Sequence, residues 1–128
     1  MTDSSKAHRP GTKSGSEPYC PDIDEIVFVD FSPQAGTEQA FARPALVLTP
    51  RSYNAITGRC FACPITSRVK GYPYEVALPA GLRTTGVVIV DQGKALSWTA
   101  RGASFIELAP QAVADEARAK LKAFLQIA

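Results

Sequence analysis

Between residues 23 and 108 the sequence is a succession of short apolar runs, each closed within a few residues by proline, glycine or a polar cluster. Runs occupy 26–29 (inside a stretch 23–31), 45–48, 60–65, 74–78 and 86–90, with two shorter ones at 96–98 and 103–108. Segments of that length, rich in β-branched and aromatic residues and bounded by turn formers, are expected to be strands. Their connections are too short for the helical crossovers that parallel strands need. The expectation is therefore a small antiparallel barrel or strongly bent sheet. Residues 87–90, Val-Val-Ile-Val, predict a strand buried on both faces. The last segment differs, since Val113, Ala117, Leu121, Phe124 and Leu125 recur at helical spacing opposite Asp115, Glu116, Arg118, Lys120 and Lys122. A terminal amphipathic helix follows, with Pro110 near its first turn, a Glu116–Lys120 pair along one side and an apolar stripe expected to close the barrel.

A chain of 128 residues that is 45% hydrophobic has room for one domain. Residues 1–18 hold Ser, Lys, Gly, Thr and Pro without an apolar run and are expected to form a disordered tail rather than a signal peptide or membrane segment. Residues 19–128 are then the single folded domain, with a cytoplasmic location expected. About 110 residues bury only roughly two-thirds of their unfolded surface, so a homodimer is a plausible source of extra stability.

The three cysteines are Cys20, Cys60 and Cys63. Cys-Phe-Ala-Cys has the spacing of half a zinc site, but positions three apart on a strand point to opposite faces, and the only histidine is His8 in the tail. No metal or cofactor is expected, and reduced thiols suit an odd cysteine count without a secretion signal.

The net charge of +2 conceals an uneven distribution. Residues 22–38 carry five acids and no base, whereas residues 43–101 carry eight bases against Glu75 and Asp91, a local excess of 8 − 2 = +6. Such a field can steer a polyanion, although scattered arginines are more often solvated surface. One cation stands out. In Glu38-Gln39-Ala40-Phe41-Ala42-Arg43-Pro44 a polar loop ends in an arginine placed directly before an apolar strand. Pro44 fixes its own φ and pushes Arg43 toward extended backbone, so the guanidinium leaves the sheet at a defined place beside a loop carboxylate. A fixed guanidinium of that kind suits phosphate.

If the polyanion is RNA and it is cut without a metal, the ribose 2′-hydroxyl is the nucleophile. The site must accept its proton, stabilise charge on the phosphoryl oxygens and protonate the leaving 5′-oxygen. With no histidine pair to hand, the available groups are Arg43 for charge, Thr66 or Ser67 for hydrogen bonding, and Glu38 or Asp91 for the proton. Arg68 and Lys70, in the loop after Thr66, are candidates for backbone phosphates. Tyr72, Tyr74 and Trp98 could stack on splayed bases if exposed, with core packing the stronger expectation for Tyr74 and Trp98.

The order Val-Asp-Phe-Ser-Pro, Thr-Glu-Gln-x-x-x-Arg-Pro-Ala, Tyr-Asn-x-x-Thr-Gly, Pro-x-Thr-Ser, Lys-Gly-Tyr-Pro and Asp-Gln-x-Lys resembles the MazF/PemK family of toxin endoribonucleases, from about Pro21 to the C-terminus. The resemblance implies an SH3-like, PemK-type barrel and a homodimer. It also implies metal-independent, sequence-specific cleavage of single-stranded mRNA to 2′,3′-cyclic phosphate and 5′-hydroxyl ends, held in check by a MazE-like antitoxin whose acidic tail covers the site. It makes Arg43 and Thr66 catalytic. Glu38 becomes the loop acid, either accepting the 2′-hydroxyl proton or pairing with Arg43 in the absence of RNA. Gln39, Ser67, Arg68, Lys70, Asp91 and Gln92 become RNA-binding residues. An arginine that PemK-type relatives place near the aspartate is Ile89 here, which leaves Asp91 a base-reading or framework group, and the family's usual glycine before the first strand is Asp24. The alternatives are a non-catalytic toxin of similar fold that binds a protein target, as gyrase poisons do, and a simple RNA-binding barrel.

Overall fold

A computed structural model describes residues 19–32 and 42–127. The tail, Glu38 and Gln39 lie outside the described residues.

Among the described residues seven antiparallel strands and two α-helices follow one another as β1 (Glu25–Asp30), β2 (Ala42–Val47), α1 (Arg51–Thr57), β3 (Arg59–Thr66), β4 (Glu75–Ala77), β5 (Val87–Ile89), β6 (Lys94–Ser97), β7 (Ser104–Leu108) and α2 (Gln111–Leu125). The sheet order is β4-β5-β3-β2-β1-β7, with β6 also on β3. The long β3 makes the bend. Its first half pairs Cys60 with Leu96 on β6, and its end pairs Ile65 with Val88 on β5. One 3-10 turn, Val90–Gln92, carries the chain between those two partners. Gly93 closes that turn where a Cβ would lie 2.7 Å from the Phe61 ring, so the turn can sit hard against β3. The expected strand positions and the burial of 87–90 are as the sequence predicted.

Alternation along the strands divides the core in two. Ile26, Leu46, Cys63 and Ile65 face one cluster, capped by Val113 and Ala117 of α2, while Val27, Val29, Ala45, Val47, Cys60 and Ala62 face another with Leu96 and Trp98. Cys60 and Cys63 thus lie on opposite faces, and burial pushes both thiols up to about 12. All three cysteines are free. β4 and β7 are not laddered to each other, and a carboxylate bridges that end of the sheet. Glu107 on β7 accepts from the backbone N–H of Arg83 (3.1 Å) and from the N–H and hydroxyl of Thr84 (2.9 and 2.7 Å).

Three features differ from the sequence reading or extend it. Helix α1 was not expected, because of its seven residues only Asn54 is buried and no apolar stripe marks it. Polar bonds hold it instead: Asn54 Nδ2 donates to the carbonyls of Pro21 and Thr49, and Gly58 ends the helix at φ 72°. The stripe of α2 closes the core only through Val113, Ala117 and Leu121. Phe124 and Leu125 are 44% and 52% exposed, with Phe124 set edge-on to Tyr74. The expected Glu116–Lys120 pair forms at 3.1 Å. Asp24, in place of the family's glycine, has φ 66°, a left-handed conformation that glycine adopts freely and aspartate tolerates. Its carboxylate meets Arg118 of α2 at 2.8 Å. No described helix is long and apolar enough to cross a membrane.

Candidate active site

The β2–β3 register pairs Val47 with Ala62, Leu46 with Cys63 and Ala45 with Pro64, and there it stops. Neither Pro44 nor Pro64 can donate a ladder hydrogen bond. Beyond that rung β3 turns its pairing to β5, through Thr66 opposite Val87. Carried two residues further, the same register sets Arg43 opposite Thr66 on one face of the sheet. The strands part where these two side chains emerge, and both line a depression of about 170 Å³ floored by Pro64 and Ile89. Arg68, Lys70, Tyr72 and Gln92 form its rim. A second hollow of about 220 Å³, lined by Phe31 and Lys94, shares Arg43, Pro64 and Gln92 with the first. The two make one groove with Arg43 at its waist.

Its polarity is lopsided. Arg43, Arg68, Lys70 and Lys94 are cations, no described carboxylate lines either hollow, and Asp91 stands behind Tyr72, accepting a 2.8 Å hydrogen bond from its hydroxyl. Arg43 Nε is buried and has no hydrogen-bond partner among the described residues. The Thr66 hydroxyl accepts from the Arg68 N–H at 3.1 Å, which leaves its proton free to point outward. Gly86 lets β5 approach there, since a Cβ at its φ of +113° would fall 2.1 Å from the Thr66 carbonyl oxygen.

Two braces hold the rim. The Glu75 carboxylate, 8% exposed, accepts from the backbone N–H of Lys70 (2.9 Å) and Gly71 (2.8 Å), fixing the loop that carries Arg68, Lys70 and Tyr72. Lys120 of α2 donates to the Glu75 carbonyl at 2.8 Å. At the other end, Lys94 Nζ donates to the Phe31 carbonyl (3.3 Å) and lies 5.0 Å over its ring, while Arg101 donates to the carbonyls of Asp30 (3.1 Å) and Ser32. The carbonyls of Asp30, Phe31 and Ser32, where β1 ends, are thereby tied to Lys94 and Arg101. Burial and then the Arg101 charge pull the Lys94 ammonium below its ordinary value.

Of the sequence candidates, Arg43, Thr66, Arg68, Lys70 and Gln92 converge on the groove. Ser67 is exposed and does not line it, and Asp91 reaches it through Tyr72. Glu38 and Gln39 lie outside the described residues. Trp98 is core, its indole N–H bonded to the Asn54 carbonyl at 2.9 Å, and Tyr74 packs partly buried against the core. Sequence reasoning assigned no role to Glu75 or Lys94. Lys94 stood in the Asp-Gln-x-Lys motif and Glu75 two residues past Lys-Gly-Tyr-Pro, but the Lys94 contact spans 63 residues and the Glu75 clamp, though short in sequence, has no signal of its own.

Residues 24–125 match the model of the family described as the PemK-like, MazF-like toxin of type II toxin–antitoxin systems. The chain belongs to that family. It is 49% identical over 86 residues to the endoribonuclease toxin MazF of Escherichia coli (strain K12), an alignment covering 67% of this chain and 77% of the relative. The crystal structure of MazF from Deinococcus radiodurans superposes with a TM-score of 0.80 at 49% identity, covering 86% of this chain and 100% of that one. MazF in the Deinococcus MazE–MazF complex is similar at TM-score 0.78 and 43% identity, over 87% of this chain and 100% of that one. In this MazF-like toxin the arginine-bearing junction of β2, the threonine ending β3 and the loop after it are thus met on the fold those relatives share.

Proposed function

We propose that this MazF-like toxin is an endoribonuclease that cleaves single-stranded RNA at chosen sequences through attack of the ribose 2′-oxygen on the adjacent phosphorus. The observation that carries the reading is the meeting of Arg43 and Thr66 in a cationic groove. A phosphodiester seated there has its non-bridging oxygens within the reach of two unlike donors, the guanidinium and the free O–H of Thr66. Charge grows on those oxygens as the 2′-oxygen bonds to phosphorus and the 5′-oxygen leaves, so preplaced donors act mainly in the transition state. Arg43, a poor base, serves as electrostatic stabiliser. Glu38, in the sequence ahead of β2, takes the 2′-hydroxyl proton, and a solvent water supplies the proton that the departing 5′-oxygen takes up. Asp91 is bonded to Tyr72 and is better suited to framework than to proton transfer. The products are a 2′,3′-cyclic phosphate and a 5′-hydroxyl. No step needs a metal, and the crowding of cations around Arg43 disfavours one.

Arg68, Lys70 and Lys94 hold the flanking backbone, giving affinity without sequence choice. The same positive groove suits the acidic segment of a MazE-like antitoxin, which would inhibit by occupying it. The toxin acts as a cytoplasmic homodimer in this reading.

The test is incubation of purified protein and Arg43→Ala with a long single-stranded RNA in EDTA, with 5′ ends mapped and termini assayed for cyclic phosphate. Discrete cuts by the parent alone are expected. Intact RNA in both samples would overturn the reading.

A further inference from the structure

The side chains around the depression are unequal in what they can read. Arg43, Arg68 and Lys70 only donate, and the Thr66 oxygen already accepts from the Arg68 N–H, so its hydroxyl also offers a donor. Such groups recognise phosphoryl and carbonyl oxygens. Gln92 presents both an acceptor and donors and by itself fixes no choice. Tyr72 is different. An ionised carboxylate accepts and never donates, so the 2.8 Å contact to Asp91 Oδ1 commits the phenolic proton to Asp91. That hydrogen bond, with lesser contributions from burial and from the Asp91 and Glu75 charges, raises the phenol further above its ordinary value and keeps the proton on the oxygen. What remains on Tyr72 Oη is lone-pair density beside the depression.

We infer that Tyr72, oriented by Asp91, is a specificity-determining residue whose phenolic oxygen accepts a hydrogen bond from an exocyclic amino group, so that the base seated there is an amino-bearing one and not uracil. The inference rests on the reading of this groove as a single-stranded RNA site and adds to it the polarity of one base-reading contact. Backbone geometry supports the assignment. Tyr72 lies one residue beyond the Lys70-Gly71 turn that Glu75 clamps, and its own carbonyl accepts from the Glu75 N–H at 3.1 Å, so the ring starts from a fixed backbone. The 3-10 turn that carries Asp91 is fixed in turn by the Tyr74 carbonyl, which accepts from Val90 at 2.9 Å. Donor and acceptor therefore sit on two segments tied to each other by backbone bonds. Against a uracil held in the same pose, whose O4 stands where the amino group would be, the Tyr72 oxygen meets a second acceptor and both are left unpaired.

Binding tests this without requiring cleavage. Fluorescence anisotropy compares labelled 2′-O-methylcytidine and 2′-O-methyluridine octamers, which lack the attacking hydroxyl, on the parent, Tyr72→Phe and Asp91→Ala. The parent is expected to prefer the cytidine oligomer by about three- to tenfold, the discrimination of one net hydrogen bond. The ratio is expected to fall to within about twofold of unity in Tyr72→Phe, and to fall also in Asp91→Ala, where the hydroxyl can turn and donate. A parent without preference, or a Tyr72→Phe protein that keeps the parental ratio, would overturn the inference. An unchanged ratio in Asp91→Ala would overturn the orienting role of Asp91. Failure of the parent to cut RNA while the cytidine preference holds would count against the nuclease reading and not against Tyr72.

Discussion

Carried two residues past its last paired rung at Ala45 and Pro64, the β2–β3 register sets Arg43 opposite Thr66, and both side chains line one depression. The ladder ends between two prolines, and the gap it leaves is the floor of the groove. The same sequence event that stops hydrogen bonding therefore leaves a guanidinium and a hydroxyl lining one depression.

Removing the guanidinium is expected to cost more than removing its charge. Arg43→Ala should lower kcat by about a hundredfold or more, in the range seen for loss of one preorganised oxyanion donor. Arg43→Lys should recover only part, since an ammonium cannot reproduce the planar fork. Single-turnover cleavage of a fluorogenic RNA measures both, and a lysine variant as active as the parent would show that charge alone suffices.

Thr66→Val keeps shape and removes the hydroxyl, and Thr66→Ser keeps the hydroxyl. Valine is expected to reduce kcat by at least about tenfold with little change in melting temperature, and serine to retain most of the rate. Equal loss in both variants would mean that Thr66 matters for packing at the end of β3 rather than as a donor.

Gly86 cannot accept a side chain. A Cβ there meets the Thr66 carbonyl at 2.1 Å, from a φ of +113° that other residues avoid. Gly86→Ala should destabilise by about 2 kcal/mol or more, a melting-temperature drop of roughly 8 °C or more for a domain this size. Thermal unfolding of the variant decides it.

How far these relationships could be read from sequence depended on the distance over which each is made. The strands announced themselves through local runs such as 87–90, and α2 through its period. α1 was silent because its one buried residue, Asn54, is polar and its support comes from Pro21, 33 residues away. Phe124 and Leu125 obeyed helical spacing, yet the helix runs past the edge of the core before reaching them. Arg43 was legible through its proline and Thr66 through the family's pattern. Glu75 and Lys94 were not, since a carboxylate clamping a turn and a lysine tied to Phe31 across 63 residues leave no local signature.

Glu75 bears on catalysis at one remove. Replacing it with Gln keeps the volume and gives up one of two charge-assisted acceptors for the Lys70 and Gly71 amides, a loss of about 1–2 kcal/mol. The loop it clamps carries Arg68 and Lys70, so KM should rise several-fold while kcat falls less. A fall in kcat with KM unchanged would instead connect Glu75 to the chemistry itself.

Acid should attack the fold at Glu107. Burial there works against ionisation, but the hydrogen bonds from the Thr84 hydroxyl and from the Arg83 and Thr84 amides, with the Arg83 charge, outweigh it and hold the carboxyl below its ordinary value. A carboxyl depressed in the folded state contributes stability that is fully present above its unfolded pKa of about 4.3, and that is lost as pH falls through the lower folded value. The bridge from β7 to the β4–β5 loop should therefore hold at neutral pH and weaken below about pH 4. Glu107→Gln is expected to be less stable than the parent at pH 7, with the difference narrowing toward pH 3. Urea unfolding at both values measures it, and a gap that stayed constant with pH would mean that the side chain acts through shape and not through charge.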